Sequence, residues 1–275
     1  MNARIDYEAE YNNRARVPEH PAIMEGWRRD AEAWRVEHPP QVVPYGPGER
    51  QVIDFFPALS GEPSRATVVF IHGGYWQALD RSWFSHLARG LQAHRINVAI
   101  PSYDLCPAVR VGDIVDEMRA ACRELARFDK KLVVAGHSAG GHLAACMLAT
   151  HWPAVDEGLP AGFVTAAYAI SGLFDLKPLI GTSINGALKL DEAEAELASP
   201  LSWTPPAGLA LDAVVGSEES AEYHRQSATI VERWGAAGVA TRYETIAGAN
   251  HFTVIAPLAD PGSAMTRRVA ALALG

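Results

Sequence analysis

The sequence predicts an α/β protein: a mostly parallel sheet flanked by helices, with a small cap region. Three observations predict it. Short apolar runs alternate with segments of helical period from residue 41 onward. The central runs, such as ATVVFI at 66–71, are apolar throughout, as strands are when helices cover both faces of a parallel sheet. The chain has 275 residues, 48% of them apolar and 20% charged, and α/β domains of about 200–250 residues and slightly more are routinely single.

The elements follow in order. Residues 7–18 read as a charged arm. Ile23, Trp27, Ala31 and Trp34 then recur at three- and four-residue steps, which predicts a helix over 21–37 with one apolar stripe packed on the body, stopped by His38-Pro39-Pro40. Residues 1–40 thus form an N-terminal arm and helix, and 41–275 one domain. Strands at 42–45 and 52–56 flank Gly46-Pro47-Gly48, a hairpin turn. Strands follow at 66–71, 97–101, 132–135, 163–170, 210–215 and 241–246, eight in all. Helices fall at 81–94, 112–128, 139–150, 221–237 and 262–274. Residues 172–206 are helical in places without a strand, and read as a cap over one end of the sheet.

Within this frame, Gly136-His137-Ser138-Ala139-Gly140-Gly141 lies between a strand and an alanine-rich helix. A bare GxSxG arises by chance in about one chain in ten of this size, but the strand before and helix after make it specific. A serine on so tight a turn is lifted above the sheet edge with the helix N-terminus beneath the developing charge, the setting of a nucleophile. The alternative is a serine that merely caps its helix.

His72-Gly73-Gly74-Tyr75-Trp76 follows the 66–71 strand, where a loop of this kind supplies backbone N–H groups to an oxyanion. Gly74 and Tyr75 are the expected donors, with Ala139 as the third; His72 is expected to orient the loop. The base should follow the last strand, which selects His251 in Gly248-Ala249-Asn250-His251-Phe252 from ten histidines. The acid should follow the 210–215 strand, where Glu218 and Glu219 both qualify; Asp212 sits near the opposite sheet edge. Tyr75, Trp76, Phe174, Trp203 and Phe252 are candidate rings around a substrate, with core packing as the alternative for each.

Other chemistries find no footing. The net charge of −8 (24 − 32) disfavours nucleic acid or an anionic membrane as partner. The sequence has no apolar run of transmembrane length and no signal-peptide pattern. Three scattered cysteines, Cys106, Cys122 and Cys146, read as small core residues of a reduced, cytoplasmic protein. No metal, phosphate-loop or dinucleotide pattern is present, so no cofactor is expected.

Taken together, HGGYW, GHSAGGHLAA, SGLFDLKPL, SAEYHRQS and GANHF resemble kynurenine formamidases (arylformamidases) and their bacterial relatives over residues 52–252, and the YNNR arm is similar to the bacterial members. The resemblance implies an eight-stranded α/β-hydrolase fold of the esterase/lipase superfamily. It places the acid immediately before the serine of the SAEYHRQS run, at Glu219, where the family usually has aspartate. It also implies that Phe174 lies beside the pocket. The implied activity is cleavage of a small acyl group, formamide or ester, through an acyl-enzyme on Ser138 with His251 and Glu219. A carboxylesterase for small-acyl esters shares all these residues; a catalytically silent binding protein needs none of them. The expected partner is a small-molecule acyl substrate. The sequence leaves open a homodimer, and leaves open whether the arm covers its own pocket or another subunit's.

Overall fold

The computed structural model describes residues 5–59 and 64–275. Its centre is an eight-stranded sheet of β1 (Gln41–Pro44), β2 (Val52–Phe56), β3 (Ala66–Ile71), β4 (Ile96–Pro101), β5 (Leu132–His137), β6 (Val164–Ile170), β7 (Ala210–Gly216) and β8 (Ala240–Ile246). The spatial order is β1-β2-β4-β3-β5-β6-β7-β8. The hairpin expected around Gly46-Pro47-Gly48 forms, with Val43 opposite Ile53, and β2 joins β4 antiparallel. From β4 to β8 every pairing is parallel.

Each residue of β3 and of β5 is buried. Alternate β3 side chains serve opposite faces, because successive side chains on a strand point to opposite sides. Val69 and Ile71 join the apolar layer under helices Val111–Leu125, Ala139–Leu148 and Ala221–Ala236; Val68 and Phe70 join the layer containing Trp27, Leu91 and Val269. That is why these runs carry no polar alternation.

The N-terminal helix spans His20–Glu37. Its stripe lies on the second layer: Trp27 packs on Phe84 and Phe252, Ala31 is fully buried, and Trp34 donates its indole N–H to Gln92. A carboxylate fastens it. Asp54, fully buried on β2, accepts from Arg35 of the helix and, at 3.0 Å, from Arg81. Residues 81–94, expected as one helix, divide into a 3-10 turn, Arg81–Leu87, and a short α-helix, Ala88–Gln92. The Asp80 carboxylate accepts from Ser82 N two residues on, which tightens the first turn. The 172–206 stretch carries a 3-10 turn (Lys177–Gly181) and helices Asn185–Leu188 and Glu192–Ala198. No helix among the described residues is long and apolar enough to cross a membrane.

Removing the Asp54 carboxylate leaves Arg35 and Arg81 without their shared anion, with only the Ser85 and Ser102 hydroxyls as acceptors. Asp54→Ala is expected to cost about 3 kcal/mol of stability, read as a lower urea midpoint at unchanged slope, with faster amide exchange in the N-terminal helix.

Candidate active site

The turn after β5 fixes the candidate nucleophile. Ser138 sits at φ 57°, ψ −118°, a positive φ for a residue with a side chain, which costs about 1–3 kcal/mol and needs over-determined surroundings. The glycines supply them by close approach. A Cβ on Gly136 would meet Gly140 O at 2.1 Å, and one on Gly140 would meet Ile71 O at 1.9 Å. Ser138 N donates to Ile170 O at 2.8 Å, tying the turn to β6. Ser138 thereby lines a cavity of about 400 Å³ at the carboxyl edge of the sheet.

His251 lines the same cavity, on the loop after β8. The Asn250 carboxamide oxygen accepts from the N–H groups of Phe252 and Thr253, shaping that loop. Glu219 Oε2 lies 2.6 Å from His251 Nδ1, and both side chains are buried. A carboxylate only accepts, so Nδ1 carries the proton and Nε2 keeps its lone pair. The other oxygen, Oε1, accepts from Ser171 Oγ at 2.5 Å and Gly216 N at 2.7 Å. Ser171 is itself held at φ 51°. The longer side chain of glutamate is accommodated by this fold-back onto Gly216, three residues earlier. Glu218, the other acid the residues alone admitted, is exposed to solvent. Asp212, at the opposite edge, is bound by Arg268 at 2.7 and 2.9 Å.

Neighbouring groups hold the imidazole. His137 Nε2 donates to His251 O at 2.9 Å; burial pushes the His137 pKa well below its ordinary value, so this ring stays neutral. The Tyr223 ring lies 4.6 Å from that of His251, and its phenol also contacts the Ser138 hydroxyl. A direct Ser138–His251 bond is not among the hydrogen bonds of the described residues. Nucleophile–base contacts commonly tighten only with substrate in place.

The 72–76 loop lies directly on Ser138. A Cβ on Gly73 would meet His137 O at 2.8 Å and Ser138 Cβ at 2.9 Å. Gly74, Tyr75 and Trp76 follow with φ of 107°, 49° and 55°, a left-handed run that turns successive N–H groups to one side. Among the hydrogen bonds of the described residues, none engages the N–H of Gly74, Tyr75 or Ala139. His72 donates through Nδ1 to Gly73 O at 2.8 Å and stacks on Tyr103; burial lowers its pKa to about 4, so it orients the loop as a neutral ring.

Of the five rings expected to enclose substrate, Tyr75 and Phe252 line the cavity; three corrections follow. Trp76 is fully buried, edge-on to His142 in the core, because the left-handed run carries its side chain inward. Phe174 is also fully buried, packed on Gly172. Trp203 lies outside the cavity, donating its indole N–H to Leu197 O with Arg119 over its ring. The walls come instead from the N-terminus: Tyr11, Asn13, Arg14 and Trp27, with Leu79 and Ile184. The arm therefore covers the pocket of its own chain. It forms two short helices, Tyr7–Tyr11 and Asn13–Arg16, and is pinned where the Glu8 carboxylate accepts from Ser183 N and Oγ, at 2.6 and 2.7 Å. Apolar periodicity cannot reveal such a role, since only Tyr11 and Val17 of the arm are buried in the apolar layers and the other ties are polar; the Asn12-Asn13 pair inside a charged segment is the one local hint.

A protein-family model described as alpha/beta hydrolase fold matches residues 68–255. The chain belongs to this family. The hydrolase is 29% identical to the kynurenine formamidase of Danio rerio, covering 82% of this chain and 78% of the relative. It is 28% identical to that of Drosophila melanogaster, covering 81% and 78%. A crystal structure from Silicibacter, a candidate thioesterase, superposes with a TM-score of 0.84 at 34% identity over 97% of this chain and 99% of that one. No group of three or more histidine, cysteine or acidic side chains among the described residues could hold a metal ion.

Ser171→Ala removes one of three donors on the Glu219 carboxylate. It is expected to lower kcat about tenfold with KM nearly unchanged, while Ser171→Thr, which retains the hydroxyl, recovers most of the rate.

Proposed function

We propose that this α/β-hydrolase is a serine hydrolase that removes a small acyl group through an acyl-enzyme, with an aryl formamide as its preferred substrate. The observation that carries the reading is the buried 2.6 Å contact of Glu219 with His251 beside a strained serine in one cavity. A binding protein has no need of that arrangement.

In the proposed mechanism, Ser138 Oγ attacks the carbonyl carbon while His251 Nε2 takes its proton. Glu219 holds the imidazole in the competent tautomer and offsets the charge it acquires. The N–H groups of Gly74, Tyr75 and Ala139 receive the tetrahedral oxyanion; each such donor is commonly worth about 3 kcal/mol of barrier. The imidazolium then protonates the leaving amine, and water frees the acyl group by the same steps in reverse. Phe252, Trp27 and Tyr75 supply an aromatic wall suited to an aryl leaving group. The likeness to kynurenine formamidases over about four-fifths of the chain favours a formamide over a simple ester. The three free, buried cysteines suit a reducing, cytoplasmic setting.

Covalent labelling by a fluorophosphonate is expected in the intact protein and lost in Ser138→Ala, with kcat falling by roughly 10⁴–10⁶. Glu219→Gln is expected to lower kcat by about 10⁴ through the wrong imidazole tautomer. The substrate class is tested by steady-state hydrolysis of N-formylkynurenine beside p-nitrophenyl acetate and butyrate. Preference for the nitrophenyl esters would replace the formamidase reading with a carboxylesterase.

A further inference from the structure

Asn13 enters the catalytic cavity from the arm and is 5% exposed. Its Nδ2 lies 3.2 Å from the Tyr75 hydroxyl and 2.8 Å from that of Tyr223, and the two phenols lie 2.7 Å apart. Tyr75 also lies 2.6 Å from the carbonyl oxygen of Tyr11. A count of protons orients this cluster. A carbonyl only accepts, so the Tyr75 proton belongs to Tyr11 O. Tyr223 must then donate to Tyr75. Both remaining contacts need a hydrogen from Asn13, and only its NH₂ group supplies two. Turning the amide over would leave two of the three contacts within the cluster without a proton.

The amide oxygen is therefore the unused end. Asn13 Oδ1 is buried and accepts no hydrogen bond. An orphaned acceptor of this kind is costly in a folded protein and calls for a partner. The partner must bring a donor, and the donors within the cluster are committed: the amide's own hydrogens to the two phenols, and the phenol protons along the chain to Tyr11.

We propose that Asn13 Oδ1 accepts a hydrogen bond from the N–H of the scissile amide, making Asn13 the residue that selects N-acyl over O-acyl substrates. The inference rests on the serine-hydrolase reading above and assigns the arm a part in specificity. An amide N–H loses its water when it enters the cavity, and Oδ1 replaces that water; an ester brings an oxygen with no hydrogen, leaving two acceptors opposed. The contact also keeps the nitrogen of the leaving group beside His251, which must protonate it.

The test compares formanilide with phenyl formate, which differ by N–H against O at the scissile position, in the full-length protein. The quantity read is the ratio of their kcat/KM values. Asn13→Ala is expected to lower that ratio about tenfold or more, through loss on the formamide. Tyr223→Phe disturbs the same cluster but leaves Oδ1 in place, and is expected to keep the ratio within about twofold of the parent. An equal fall on both substrates in Asn13→Ala, or an equal loss of ratio in Tyr223→Phe, would overturn the proposal, because Asn13 would then only position the phenols. Hydrolysis of neither substrate by the parent protein would instead count against the serine-hydrolase reading itself.

Discussion

Backbone crowding behind Ser138 is the constraint on which the site depends. β3 and the β5-to-helix turn approach so closely that Gly140 all but touches the Ile71 carbonyl, and Gly136 faces Gly140 O just as tightly. Only glycine fits at either position, and the serine between them is left at a positive φ. The same approach brings the 72–76 loop onto Ser138 through Gly73. The positions of the candidate nucleophile and of the 72–76 loop are thus two consequences of one close contact between adjacent parallel strands.

Around that contact the site is assembled from distant segments by hydrogen bonds with forced directions. Glu219 accepts from β7's own end, from Ser171 at the end of β6, and from the histidine loop after β8. Three strand ends therefore converge on one carboxylate, and the register of the sheet becomes the register of the site. The buried histidines around it, His72, His137 and His142, are driven neutral by desolvation. They serve as fixed donors that do not compete with His251 for charge.

The N-terminus adds a second level. Its helix is fastened to the body by Asp54 between two arginines, and its arm is fastened over the cavity by Glu8 on the Ser183 turn. The Glu8 carboxylate is held below the ordinary range by those two donors. The contact is complete above that range and weakens as pH falls through the lowered value. The Glu8 tie is a polar contact that water can replace, whereas Tyr11 and Val17 anchor the same arm by burial in the apolar layers.

The strand–helix alternation, the GxSxG turn and the place of His251 were legible locally, because each depends on a short pattern: period, glycine spacing, position after a strand. Among the acids, residue chemistry alone left Glu218 and Glu219 equal, and family likeness favoured Glu219. Tertiary structure separates them through burial, since only Glu219 can fold back on Gly216 N and reach Nδ1. Three of the five candidate aromatic walls lie elsewhere for a similar reason, while Tyr75 and Phe252 do line the cavity. A ring's type says that it will be buried, not against what, so Trp76 and Phe174 went to the core, Trp203 fell outside the cavity, and Trp27 and Tyr11 took the cavity. By itself the sequence determined the sheet and the strained serine, since both follow from local sterics. The fold alone decided how Glu219 folds back to meet the imidazole and that the arm's Asn13 stands in the pocket wall, because those pairings join residues about 30 to 210 positions apart.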